Sequence, residues 1–204
     1  MNIEITHKQT IEELLRSTKR TGIEDLIQWM RENGFFSAPC SSKYHLAKQG
    51  GLAEHSLNVY RIAKNIAFNL YVYPNNLTQE MIDSIIICAL LHDLGKAGQF
   101  GKPNYSRILK PQAEITAEFI VDGFDSLDPE QIGFETNKNL LYIPHEVRSV
   151  AIASQYIDLT EEEQFAILYH NGLYGELKAF KGNETPLQMI LHFADMWAAR
   201  VVED

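Results

Sequence analysis

The 204-residue chain has only two cysteines, Cys40 and Cys88, and two cannot build a disulfide framework. Cys88 falls inside an apolar stretch, where a small buried thiol is the ordinary role. No apolar run reaches the length of a membrane span, because the longest, around Ile85, is cut off by His92 and Asp93. The start, MNIEITHKQT, lacks the basic first residues and apolar middle of a secretory signal. These absences point to a cytoplasmic protein with no membrane partner. Basic residues are also in the minority, 18 Lys and Arg against 27 Asp and Glu, for a net charge of −9. Polyanion binding runs on clustered Lys and Arg, so no extended nucleic-acid surface is expected. A local basic pocket for one phosphate remains compatible with that balance. Lys96, Lys102, Arg107 and Lys110 are the densest cluster, and a solvated loop accounts for them equally well. Internal repeats, low-complexity tracts and interdomain linkers are missing too. What is present is 45% hydrophobic residues, enough to give residues 1–204 one globular domain with a sizeable core.

The chain is organised around residues 81–96, MIDSIIICALLHDLGK. Met81, Ile82, Ile85, Ile86, Ala89 and Leu90 recur at helical spacing, and Ile87 and Leu91 fill the gaps. A helix apolar on nearly every side belongs at the centre of a fold. It ends on His92 and Asp93, an imidazole and a carboxylate that need a strong partner in such a setting. A divalent metal is the natural one, and a solvated helix end is the plain alternative. Gly95 suits the left-handed residue that closes a helix, leaving Lys96 as a flexible cation beyond it.

Around that helix the pattern is helical throughout. Thr10 with Glu13 and Thr21 with Glu24 fit capping boxes for two N-terminal helices, which Asn33-Gly34 ends. Residues 35–49 read as an irregular loop. Gly50-Gly51 then opens a long helix that carries His55 one turn in and stops at Pro74. Thr78 caps the central helix. The segment after Lys96 reads as a loop lying over whatever His92 and Asp93 hold, and Pro111 begins a helix running to about Gly123. Residues 124–144 are the least regular part, with LLYI as a short strand of a hairpin insertion. His145 opens a helix closed by Asp158-Leu159, Thr160 with Glu163 caps the next, and Asn171-Gly172 ends it just after His170. Residues 173–184 are a loop or short hairpin. Thr185, Pro186 and Gln188 supply a cap, an N1 proline and a capping box for the last helix, where His192 and Asp195 lie one turn apart. The fold class expected is all-α, with at most a small β-hairpin.

Singly these polar residues are ordinary, and a lone His55 near an apolar stripe is more often a satisfied core histidine. As a set, His55, His92, Asp93, His145, His170 and Asp195 come from different helices and sit close to apolar faces. Inward-facing polar residues of helical bundles commonly converge on metal. With no cysteine involved, the donors suit Mn, Fe, Co, Ni, Mg or Zn.

The stretches GGLAEH, LLHDLGK and LHFADMWAA resemble, in order and spacing, the HD-domain metal-dependent phosphohydrolase superfamily. The resemblance covers roughly residues 40–200, leaving 1–39 as flanking helices. It is strongest to the HD half of bacterial 3′–5′ exoribonucleases. Those enzymes add an OB-type nucleic-acid-binding domain, and this chain has none. Where they carry two adjacent histidines, this chain has Tyr169-His170. The resemblance implies one metal held by His55, His92, Asp93 and Asp195. A second would be held by His145 and His170 with Asp93 bridging; the alternative is one ion, with the extra histidines contacting phosphate.

The chemistry so implied is in-line attack of metal-bound hydroxide on a nucleotide or other small phosphoester, with Asp93 and Lys96 as catalytic residues. Lys96 would reach a nonbridging oxygen or the leaving group, and Arg107, Lys110 and Arg148 are further phosphate-binding candidates. Lys43 and His45 would line the entrance, His192 would pack or support a ligand, and Arg61 would face solvent or pair with an acid. The many tyrosines and phenylalanines suit the core or stacking on a base. The partner expected is therefore a small phosphorylated substrate and not a polymer. A di-iron oxygenase of the same fold and a nucleotide-sensing module are the competing functions.

Overall fold

The computed structural model describes residues 3–71, 77–111, 123–175 and 182–203. Seven α-helices dominate it: α1 (Ile3–Ser17), α2 (Ile23–Glu32), α3 (Gly51–Ile66), α4 (Gln79–Leu91), α5 (His145–Ala153), α6 (Glu161–Leu168) and α7 (Pro186–Trp197). Two small antiparallel ladders complete the fold. Strands β1 (Gly98–Gln99) and β2 (Lys102–Pro103) form one; β3 (Tyr105–Leu109) and β4 (Ile132–Thr136) form the other. The expectation of an all-α bundle with a small β insertion is met. No helix among the described residues is long and apolar enough to cross a membrane.

Helix α4 sits between two hydrophobic clusters, as its all-round apolar pattern requires. Ile86, Ile87, Leu90 and Leu91 face the first cluster, with Ile11 and Leu15 of α1, Leu26, Ile27 and Met30 of α2, and Leu52 and Leu57 of α3. Ile85, Cys88 and Ala89 face the second, with Val59 and Ala63 of α3 and Leu187, Ile190, Leu191 and Ala194 of α7. Side chains such as Leu90 and Leu91 are completely buried, each stabilising the fold by about 2 kcal/mol. Thr78 caps α4 as expected, its hydroxyl accepting from the Met81 amide. Thr160 and Glu163 form the expected capping box on α6.

Other local expectations are corrected. Helix α1 starts at Ile3, so Thr10 is mid-helix and its hydroxyl bonds the Thr6 carbonyl. The N-cap of α2 is Gly22 in a left-handed conformation, not Thr21, and Glu24 instead binds Arg16 at 2.7 Å. Gly95 is not left-handed: it lies in a 3-10 turn, Leu94–Lys96. Its lack of a side chain matters for another reason, since a Cβ there would meet the His145 carbonyl at 2.3 Å.

LLYI is no strand. The pairing forms between Tyr105–Leu109, expected as loop, and Ile132–Thr136, because Ile132 and Phe134 alternate inward onto Leu127, Tyr105, Leu109 and Phe124. Helix α5 ends at Ala153, well before Asp158. Thr185 and Pro186 start α7, with the Thr185 hydroxyl accepting from the Gln188 backbone amide, but the Gln188 side-chain Nε2 donates to the Tyr169 carbonyl, 2.9 Å away, so there is no capping box. The helix expected beyond Pro111, the Pro74 stop and residues 176–181 of the 173–184 loop lie outside the described residues.

Candidate metal centre

Five helices deliver the six expected ligands to one place. Left-handed Gly50 starts α3, setting the buried His55 in its second turn. The α4 pattern continues one residue past Leu91, with the His92 amide donating to the Cys88 carbonyl, so His92 and Asp93 emerge together at the buried helix end. His145 opens α5, His170 follows α6, and Asp195 lies in α7.

Asp93 stands at the middle, and its two oxygens face different groups. Oδ2 lies 3.6 Å from His55 Nε2 and 3.4 Å from His92 Nε2. Asp195 Oδ1 closes that side, 3.1 Å from His55 Nε2 and 3.9 Å from His92 Nε2. Oδ1 of Asp93 faces the other way, 3.1 Å from His145 Nε2 and 3.8 Å from His170 Nε2, with those nitrogens 3.4 Å apart. Donor atoms so close are groups that could hold metal ions, and His55–His92–Asp195 and His92–Asp93–His170 are two such groups.

The tautomers fit a metal as well. His92 Nδ1 is 3.0 Å from the Ala89 carbonyl and His170 Nδ1 is 2.8 Å from the Ile167 carbonyl. A carbonyl only accepts, so both Nδ1 atoms carry hydrogen and both Nε2 lone pairs point inward. His55 Nδ1 faces Glu203 at 2.9 Å, and His145 Nδ1 faces Glu146 at 3.2 Å. Burial pushes the His170 imidazole down to about 3, keeping it neutral, as a ligand must be. Burial alone would raise the carboxyls of Asp93 and Asp195. The Lys96 ammonium and the His92 imidazole hold the first well below its usual range, and the hydrogen bond from His55 lowers the second. Two of the atoms expected to bind metal, His92 Nε2 and Asp93 Oδ1, are buried without a hydrogen-bond partner. Unpaired buried polar atoms are costly, and a cation between them removes the cost.

The HD domain model matches residues 52–199, most of the chain and all six of these residues. The chain belongs to the HD domain family. It is also 26% identical over 174 residues to the 3′-5′ exoribonuclease YhaM of Geobacillus sp. (strain WCH70), covering 83% of this chain and 44% of the relative. The chain thus spans less than half the length of that relative. No solved structure matches it.

The HD centre opens into a cavity of about 840 Å³ lined by Lys43, His45, Lys96, His145, His170 and Asp195, among others. Lys43 and His45 therefore stand where the entrance was expected. Lys96 is not a free cation: its Nζ sits 2.6 Å from Asp93 Oδ2 and its side chain is largely buried. The other expected phosphate binders are not presented to this cavity. Arg107 pairs with Asp125 at 2.7 Å on the hairpin, and Lys110 follows β3. The guanidinium of Arg148 is buried, bonded to the carbonyls of Gly95, Leu141 and Ile143 and to Asn104 Oδ1. It fastens α5 to the HD turn. His192 holds the His170 carbonyl at 2.8 Å, and Arg61 bonds Asn58 at the surface.

Two neighbours escaped the sequence reading. Glu203 grips His55, and it could have been found from the continuation of the α7 face through Asp195, Ala199 and Glu203. Cys40 corrects the expectation that no cysteine is involved. Its Sγ lies 3.3 Å from His45 Nε2 and 4.0 Å from Asp93 Oδ2, and burial pushes the thiol up to about 11. Nothing in the irregular stretch around Cys40 signals that proximity.

Proposed function

We propose that this HD domain is a metal-dependent phosphohydrolase acting on a nucleotide or related phosphoester. The observation that carries it is the division of Asp93, one oxygen toward His55 and His92 and the other toward His145 and His170. In this proposal His55, His92, Asp93 and Asp195 hold one divalent ion, and His145 and His170 hold a second with Asp93 shared. Mn, Fe, Co, Ni, Mg and Zn all suit these donors. When bound, such ions lower the pKa of a coordinated water from about 15.7 toward 7 and neutralise charge on phosphoryl oxygens.

The chain's own residues do the rest. Although burial would raise it, the Asp93 carboxyl is held well below its usual range by the Lys96 ammonium beside it, which favours the carboxylate form a metal ligand needs. Lys96 places its ammonium beside that carboxylate at the cavity edge, where it binds a nonbridging phosphate oxygen. The histidines are locked in orientation by their Nδ1 partners, so the site needs little rearrangement to accept a substrate. The named activity of the relative, 3′-5′ exoribonuclease, is consistent with a nucleotide phosphoester as substrate.

The test is hydrolysis of bis(p-nitrophenyl) phosphate and a nucleotide panel by chelator-stripped protein, with and without added manganese. Turnover that requires the ion supports the proposal. A manganese-loaded protein inert toward every phosphoester overturns it.

A further inference from the structure

A third group of donor atoms stands against the HD centre. Cys40, His45 and His55 each place one such atom so that all three lie within 4.8 Å of one another. Cys40 and His45 belong to one tight loop. The Cys40 amide donates to the Leu46 carbonyl at 3.1 Å. The Ser41 hydroxyl accepts from the Tyr44 amide at 2.8 Å and donates to the His45 carbonyl at 3.0 Å. With the loop so held, Cys40 Sγ lies 3.3 Å from His45 Nε2. A zinc ion bonds sulfur at about 2.3 Å and imidazole nitrogen at about 2.0 Å, so neighbouring donors on it lie roughly 3.5 Å apart. The Cys40 and His45 donors already stand near that spacing. His45 also lines the cavity of about 840 Å³, which gives an ion its path in.

The third donor connects this group to the six-residue centre. His55 Nδ1 faces Glu203 at 2.9 Å, which leaves Nε2 for an ion. The same Nε2 faces Asp93 and Asp195 in the HD set. One lone pair binds one ion, so the two groups are alternatives. Their chemistry differs as well. The HD set offers imidazoles and carboxylates, which manganese accepts, whereas a thiolate selects softer ions, zinc among them. The Lys96 ammonium lies 3.8 Å from Sγ, and the Asp93 carboxylate at 2.6 Å offsets its charge toward an incoming cation.

We propose that Cys40, His45 and His55 form a separate site for a thiolate-seeking divalent ion of the zinc class, and that its occupancy takes His55 out of the HD set and stops hydrolysis. Binding is a ligand exchange with no change of oxidation state. A sulfur–metal bond forms, and the thiol proton passes to solvent. The inhibition rests on the hydrolase function proposed above; the binding does not.

The experiment titrates the chelator-stripped full chain with cadmium and reads the sulfur-to-cadmium charge-transfer band in the ultraviolet. Wild type is compared with Cys40→Ser, His45→Ala and Asp195→Ala. Wild type should give a band that saturates, and Cys40→Ser, which keeps Cys88, should give none. His45→Ala should bind about tenfold or more weakly, since a direct ligand is worth at least as much as an orienting partner. Asp195→Ala alters only the HD set and should keep the band with at least the wild-type affinity. A band weakened there as much as in His45→Ala makes Cys40 an extra ligand of the HD ion and overturns the separate site. A wild type without a band overturns it too, leaving Cys40 a thiol hydrogen-bonded to His45. If Cys40→Ser does not fold, His45→Ala decides, and an unchanged affinity overturns the site. Zinc is then added during manganese-dependent hydrolysis of bis(p-nitrophenyl) phosphate, each protein being scored against its own zinc-free rate. At about ten times its apparent dissociation constant for wild type, zinc should lower the wild-type rate about tenfold and the Cys40→Ser rate by less than about twofold, because only the zinc-free fraction turns over. Equal inhibition of the two rejects the switch. If no hydrolysis occurs even without zinc, the hydrolase function fails and the inhibition with it, while the cadmium band still decides the site.

Discussion

His55 and Glu203, 148 positions apart, meet with Nδ1 at 2.9 Å from the carboxylate, inside the protein. Asn58 donates to the same carboxylate at 2.9 Å and fixes its orientation. The residues after α7 therefore help aim His55 on α3. Burial would push the His55 imidazole down, but Cys40, Asp195 and Glu203 together raise it well above its ordinary value. Glu203→Ala removes an orienting partner, and such outer partners are worth about 10- to 100-fold in metal affinity. Calorimetric titration with manganese should show a loss of that size, with an unchanged circular dichroism spectrum. Glu203→Gln, which keeps an acceptor, should lose less.

Each half of the centre should be separable. His145→Ala with His170→Ala should remove one ion per chain and leave the other, as read by elemental analysis after dialysis. His55→Ala should do the converse. Loss of every bound ion in both variants would show one shared site.

Gly95 marks how tightly the HD turn is packed. A methyl group there would meet the His145 carbonyl at 2.3 Å and the Arg148 Cβ at 2.8 Å, so α5 must shift and carry His145 with it. Gly95→Ala should cost about 2 kcal/mol in urea unfolding and weaken metal binding as well. A variant with wild-type stability and metal affinity would mean that the turn is looser than described.

Acid stability should depend on Glu163. This fully buried carboxylate receives Arg20 in two contacts, one of them at 2.9 Å, and the Ser84 hydroxyl at 2.7 Å. Burial would raise its pKa, yet Arg20 and Ser84 bring it below the usual 4.5. A folded pKa below the unfolded one gives stability that is present above about pH 4.5 and fades as pH falls through the folded value. Arg20→Ala should cost about 3 kcal/mol near neutral pH, because it strands a buried charge. The penalty should shrink on acidification, measured by urea unfolding between pH 3 and 7 on the order of one-unit steps.

The centre was legible in the sequence where its residues sit on strongly patterned helices. His92 and Asp93 end an apolar helix, and Asp195 interrupts another, so both betray themselves by polarity in the wrong place. The same logic fails for Arg148, whose cationic type suggests phosphate but whose burial against three carbonyls shows a structural fastening. Burial of that kind is tertiary and leaves no local mark. The β3–β4 ladder was missed because its strands are 22 residues apart between Leu109 and Ile132, and their apolar residues only form a face once paired. Cys40 lies in irregular chain, with no period from which its direction could be read.

The most direct measurement is manganese stoichiometry of Asp93→Asn beside wild type, by calorimetry and elemental analysis, with bis(p-nitrophenyl) phosphate turnover on the same samples. Asp93 faces both groups of histidines, so wild type should bind two ions and the variant should lose both, together with all metal-dependent turnover. A variant that keeps two tightly bound ions and wild-type hydrolysis would contradict the shared-carboxylate centre.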